Sequence, residues 1–484
     1  MFSKMLSREK RRKIAGYVRT TGRNLLALLP ILLVVYGVRQ YRFSQRAEPL
    51  KAQKEVAVGP HVDTPLFAVR RIPTLVSAPL TTTQITQKLT SLSALIPGGS
   101  CLGVLADGQV VGATNSDTAV IPASNMKVVT AAVALEVLGP DYTFDTVVYG
   151  KEEDGVTTDL TVVGGGDPVL ATKKFREASK TFPYYVETPF TKLDDILAQL
   201  RAKGIRVVNG ELIGVGSRYE GDGSYGSWPT NQVSPIGGLV INDTRTSYTD
   251  ELYGADPAKH AVEQLGANMK DARIIYNGGE PKSGPMPEDP GPELARVTSA
   301  PLKDIVAAML TRSENTIAEM LFREIGKKVA NNGSFGGSAQ AVADTLTKWG
   351  VPMTGVVIND GSGLDRGNKL TCQALISVLS HGGPTSALAA GLATPGHGTL
   401  DKEFLTSPVK DRLHAKTGTL NGVKSLSGFV SSTPEHSVTF AIVLNGANAA
   451  AQSEKLWSIL GDALASFPTP LDLAAFSPKP AVAG

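Results

Sequence analysis

Just after Pro122 the chain writes a helix with almost no polar face. Met126, Val128, Val129, Ala131, Ala132, Val133, Ala134 and Leu135 follow one another, and Gly139-Pro140 closes the run. A helix that is apolar on nearly all sides is stable only when other elements wrap it, so this segment requires a large core around it. Yet it carries a lysine, Lys127, in its first turn, three residues after Ser124. Residues three apart share a helix face, which places hydroxyl and amine together. Burial disfavours the charged form of a lysine, and an amine that is neutral near pH 7 can take a serine proton. The start of the helix also offers unpaired N–H groups and the positive end of the dipole to a developing oxyanion.

Composition is consistent with such a core. The 484 residues are 42% hydrophobic and 19% charged, as in globular chains of two or three domains. Net charge is +3, but residues 1–46 hold eleven Lys and Arg against Glu9 alone, so the remainder is mildly acidic. That remainder lacks the basic face a nucleic-acid partner would require. The basic start precedes an apolar run at residues 25–38, shorter than the roughly 20 residues of a full span but flanked by Arg23 and Arg39. An uncleaved membrane anchor is expected, with a cleaved signal peptide as the alternative; both export the rest of the chain. In an exported chain, Cys101 and Cys372 have a route to a disulfide, and two separate buried thiols are the other outcome.

Further along, Asp107-Gly108 between two short apolar runs predicts a hairpin. Residues 148–296 alternate short β-type runs, among them Leu239–Ile241 and Ala272–Ile275, with Gly, Pro and Asp clusters, which reads as a strand-rich insertion. Pro301 opens an amphipathic helical stretch, and residues 422–431 and 437–444 alternate as a second hairpin, followed by a last helix at Ser453–Phe467. Two further motifs stand in this frame. Ser313-Glu314-Asn315 brings a hydroxyl and an amide two residues apart, within or between helices. Lys416-Thr417-Gly418-Thr419 precedes the alternating hairpin and fits an edge strand, where Lys416 offers charge to a carboxylate and Gly418 admits a neighbouring backbone.

Taken singly, each motif is weak. In the order Ser-x-x-Lys, Ser-x-Asn, Lys-Thr-Gly they match the set of penicillin-binding proteins and class A β-lactamases. Over about residues 80–467 the chain resembles the serine D-alanyl-D-alanine carboxypeptidase/endopeptidase family of the penicillin-binding protein 4 type. Gly164–Pro168, Ser234–Asp243 and Asp360–Leu364 add to the likeness, and Asp365 stands where that family usually has serine. The resemblance implies an α+β fold, with a penicillin-recognising, β-lactamase-like transpeptidase domain (81–147 and 297–467) whose antiparallel sheet packs with helices. A strand-rich region (148–296) is inserted between the first and second motifs. Residues 1–46 would be the basic tail and anchor, 47–80 a linker and 468–484 a loose tail.

It also implies roles. Ser124 is the acylated nucleophile, Lys127 its base and Ser313 an aid to proton transfer. Asn315, Lys416, Thr417, Gly418 and Thr419 bind substrate, with the N–H groups of Ser124 and Thr419 as oxyanion donors. The implied partners are peptidoglycan peptides ending in D-Ala-D-Ala and β-lactam inhibitors, with no metal or cofactor, at the outer side of the cell membrane. A β-lactamase or esterase of the same fold and a non-catalytic wall-binding scaffold are the alternatives.

Overall fold

The computed structural model describes residues 81–469, except 183, 184, 186, 222, 230, 246–252, 434 and 435. The expected anchor, the 47–80 linker and the tail from 470 onward lie outside the described residues. Among those described, no helix is long and apolar enough to cross a membrane.

The described chain opens with α1 (Thr83–Ser93), β1 (Cys101–Ala106), β2 (Gln109–Thr114) and α2 (Met126–Val137). Next come β3 (Asp145–Glu153), β4 (Val156–Gly164), α3 (Leu193–Ala202), β5 (Leu212–Val215), α4 (Pro257–Met269) and β6 (Glu293–Thr298). Helices α5 (Leu302–Arg312), α6 (Asn315–Ala330), α7 (Phe335–Lys348) and α8 (Cys372–Gly382) follow. Strands β7 (Leu413–Leu420), β8 (Val423–Thr433) and β9 (His436–Asn445) and helix α9 (Ala449–Leu464) complete it.

Two sheets organise the molecule, and with the helices they make an α+β fold. The first is five-stranded and antiparallel throughout, in the order β7-β8-β9-β1-β2. Its hairpin β1–β2 turns at Asp107 (φ 47) and Gly108 (φ 78); two consecutive positive φ values match the right-handed strand twist. Side chains alternate across β9. Val438, Phe440, Ile442 and Leu444 meet α1 and α9 on one face, while Ala441 and Val443 join the core around α2 and α8 on the other. Helix α2 is buried continuously from Met126 to Ala134. The Cys101–Cys372 disulfide ties β1 to the start of α8.

The second sheet lies within residues 145–298 and is mixed. Lys282–Ser283, β5, β4, β3 and β6 form its main path, with β4 parallel to β5 and β3 antiparallel to both β4 and β6. It carries its own aliphatic core against α3 and α4. Those two helices escape a reading centred on β-type runs, although Leu193, Ile196, Leu197 and Leu200 recur at helical spacing. Asp256 caps α4, accepting from Lys259 N at 2.9 Å, and Pro257 opens it. The run Leu239–Ile241 is buried but joins no strand, leading instead into a 3-10 turn at Asn242. The run expected at Ala272–Ile275 pairs only from Ile275. Burial explains such runs equally well in a packed, unladdered segment.

Candidate active site

Ser124 sits in a 3-10 turn, Ala123–Asn125, at the mouth of α2. Ala123 holds φ 49, a conformation an alanine adopts only when its surroundings impose it. Two glycines do so. A Cβ on Gly363 (φ 85) would lie 1.9 Å from the Ala123 carbonyl oxygen. A Cβ on Gly418 would lie 3.0 Å from both Pro122 O and Ser124 N. The backbone that Gly418 admits is therefore that of the serine turn. Asn125 clamps the same turn to β8: its Nδ2 donates to Ser425 Oγ at 2.6 Å, and Ser427 Oγ donates to its Oδ1. Ser425 Oγ in turn donates to Pro122 O at 2.7 Å.

Lys127 is completely buried, and its Nζ lies 3.2 Å from Ser124 Oγ, 2.7 Å from Asn315 Oδ1 and 2.9 Å from the Ser362 carbonyl. A neutral amine has two N–H groups for Asn315 and Ser362 and one lone pair for the serine hydroxyl, so three partners suit the unprotonated state. Burial pushes this lysine down to about 8, opposed by the carboxylates of Glu319, Glu314 and Asp360. The orientation of Asn315 is fixed from the other side, where its Nδ2 donates to Gln232 O at 2.7 Å.

Ser313 ends α5 in the left-handed region (φ 64), and Glu314 caps α6, accepting from Ile317 N at 2.6 Å. The Ser-x-Asn motif thus lies between helices: the break turns Ser313 toward the cleft, and the first turn of α6 brings Asn315 to the lysine. Glu314 is pushed up to about 7, by burial first and then by Asp243.

Lys416-Thr417-Gly418-Thr419 occupies β7, the edge strand. Strand alternation separates the four residues. Thr417 and Thr419 line the cleft, whereas Lys416 is buried behind it and donates to the Thr417 carbonyl at 2.7 Å. Burial, together with Lys127, holds Lys416 well below the usual lysine range.

A cleft of about 510 Å³ joins these pieces. Ser124, Ser313, Asn315, Thr417 and Thr419 line it, with Tyr185, Asn231, Gln232, Arg245 and Tyr253 from the second region. A wider groove of about 770 Å³ lies within that second region, but Asp256 is its one titratable lining residue, already engaged with Lys259 N and Ser283. The chemistry lies at the smaller cleft.

Sequence reasoning missed the buried carboxylates and the wall from the second region. Glu319 stands four residues after Asn315, a helical spacing that was available as a signal. Gln232 and Arg245 gave none, since they meet the motifs only in three dimensions. Asp365 is not at the cleft: it accepts from Ser227 Oγ, from Asn359 Nδ2 at 3.0 Å and from Gly367 N at 2.5 Å. With Trp228 Nε1 donating to Asp360 at 3.0 Å, these bonds fasten the second region to the 359–368 loop.

Comparison with known proteins places this geometry. The description of the D-Ala-D-Ala carboxypeptidase 3 (S13) family matches residues 85–252 and 251–461. The D-alanyl-D-alanine carboxypeptidase of Actinomadura sp. (strain R39) is 28% identical over 428 residues, covering 70% of this chain and 76% of that protein. Carboxypeptidase DacB of Mycolicibacterium smegmatis is 29% identical over 354 residues, covering 67% of this chain and 71% of that one. The crystal structure of penicillin binding protein 4 from Haemophilus influenzae shares the fold with a TM-score of 0.61 at 23% identity, over 77% of this chain and 98% of that chain.

Proposed function

This chain belongs to the D-Ala-D-Ala carboxypeptidase 3 (S13) family, and from that premise we propose that it is a serine peptidase cleaving the D-alanyl-D-alanine ends of cell-wall peptides through an acyl-enzyme. The observation that carries the reading is the 3.2 Å contact of a fully buried Lys127 amine with Ser124 Oγ.

In this reading Ser124 Oγ attacks the carbonyl carbon between the two alanines while its proton passes to Lys127 Nζ. The N–H groups of Ser124 and Thr419 receive the oxyanion, each such donor lowering the barrier by roughly 3 kcal/mol. Collapse breaks the C–N bond, and the departing D-alanine amine takes a proton relayed by Ser313. Water then hydrolyses the ester. Asn315 holds the substrate amide and the Lys127 amine together. The Thr417 and Thr419 hydroxyls contact the terminal carboxylate, and that negative charge favours protonation of Lys416 beneath them, completing a local ion pair. β-Lactams react at the same serine.

The catalytic unit in this reading comprises 81–147 and 297–467, with 148–296 as an insertion that supplies one wall of the cleft. We also propose that the unit works outside the cell membrane, anchored through residues 25–38. The charge asymmetry of the N-terminus and the Cys101–Cys372 disulfide support that placement. Carbonate extraction of membranes tests the anchor, and protease added to intact spheroplasts, in a separate experiment, tests the side; a chain released by carbonate or protected from the protease refutes the proposal.

The activity is tested by intact mass measurement after incubation with a labelled penicillin. One adduct per wild-type chain and none on Ser124→Ala is expected, and equal labelling of both overturns the reading. Digestion of purified muropeptides then separates loss of D-alanine alone from splitting of cross-linked dimers.

A further inference from the structure

Helix α6 presents two polar side chains to the base, one turn apart. Asn315 touches the Lys127 amine directly. Glu319, on the same face, is fully buried and reaches the amine through the backbone: its two carboxylate oxygens accept from Ser362 N at 2.7 Å and Gly361 N at 3.0 Å. The Ser362 carbonyl of that turn accepts from Lys127 Nζ at 2.9 Å. The turn is held at its other contacts as well. Thr130 on α2 donates to Gly361 O at 2.7 Å, and Asp360 accepts from Gly363 N at 2.8 Å and Asp365 N at 2.7 Å. A Cβ on Gly361 would lie 2.7 Å from Ala318 O, so the turn rests directly on α6.

We propose that Glu319 is the positioning residue of the Lys127 base, holding the Gly361–Ser362 turn so that the Ser362 carbonyl orients the amine toward Ser124, and supplying the buried charge that sets when the amine is free. This rests on the reading of Lys127 as general base. The desolvation of Glu319 is met by the backbone N–H groups of Gly361 and Ser362 and by the Ser362 side chain.

The charged groups that act on it are Asp360 from the loop and Lys127 from α2, and Lys127 in turn feels Glu314 from the α5–α6 junction and Lys416 from β7. Burial, and next Asp360, pushes Glu319 up to about 8, the same range to which Lys127 is brought down. The two are electrostatically linked: an anionic Glu319 favours the ammonium, and a protonated Glu319 favours the free amine.

The test is the pH profile of acylation by a labelled penicillin, read on folded variants alongside Lys127→Ala. Glu319→Gln removes the anion that raises the lysine, so its acid limb moves to lower pH by about one unit. Its limiting rate falls about tenfold, because the amide NH2 meets N–H donors. Glu319→Asp keeps the charge but shortens the reach, so its limb stays in place while its rate falls. A wild-type limb in Glu319→Gln overturns the proposal whatever the rate, since a merely structural role lowers the rate without moving the limb. If Glu319→Gln does not fold, Glu319→Ala takes its place with the same two outcomes: a limb displaced to lower pH supports the proposal, and a wild-type limb overturns it. Lys127→Ala that acylates normally overturns the base reading itself; an inactive Lys127→Ala beside an unmoved Glu319→Gln limb removes only the role of Glu319.

Discussion

The region built on the five-stranded sheet and the region built on the mixed sheet both bury aliphatic side chains, but they differ in what else they take out of water. Around the mixed sheet the core is Val148, Leu160, Val162, Ile196, Leu212, Val262 and their neighbours, held by apolar burial, and that region also buries Asp167, Asp243 and His260. The first region adds two fully buried lysines, Lys127 and Lys416, with Glu319 and Asp360 close by. Removing charges from water is costly unless they are hydrogen-bonded, and here every one of them is. Both regions accept a desolvation cost, and what sets the first apart is that it buries two amines, Lys127 beside the serine hydroxyl and Lys416 behind the edge strand.

Four experiments break or sharpen that contrast. The largest effect is expected at the base: Lys127→Ala should slow acylation about 10³-fold, within the range for loss of a positioned general base. Stopped-flow fluorescence with a labelled penicillin reads it. In the wild type the same rate should rise as pH rises through about 8, because only the unprotonated lysine accepts the serine proton, and fall below it as the ammonium forms.

Leu212→Ala, in the mixed-sheet core, should instead cost about 2–5 kcal/mol of stability in urea denaturation and leave the acylation rate of the folded protein unchanged. A rate that falls with stability would mean the two regions are energetically one. The double change Cys101→Ser and Cys372→Ser should lower stability by about 2–4 kcal/mol, again with the rate retained, since the disulfide joins β1 to α8 away from the cleft. The smallest effect is expected on the surface. Lys151→Ala breaks an exposed pair with Asp289 and should leave Tm within error.

The five-stranded sheet was largely legible beforehand. Its hairpins show in Asp107-Gly108 and in the alternation of β8 and β9, because a half-buried strand writes its two faces into adjacent residues. The mixed sheet was harder. Apart from β3, β4 and β6 its strands are short, and α3 and α4 are amphipathic helices set among turn-forming residues that drew attention to β structure instead. The two thiols illustrate the same limit: their identity is local, but their pairing at a Cα–Cα distance of 5.8 Å is a property of the folded chain.

By itself the sequence determined the chemistry available: a serine and a lysine one helical turn apart in an apolar helix, a hydroxyl and an amide two residues apart, and a glycine-containing edge strand. Covalent neighbours and helix or strand periodicity suffice for that. Only the tertiary structure decided that the three segments converge, that Lys416 faces inward while Thr417 and Thr419 face the cleft, and that Glu319, Asp360, Gln232 and Arg245 join them. Desolvation and contact depend on what packs around a group from remote parts of the chain, and local sequence carries no record of that.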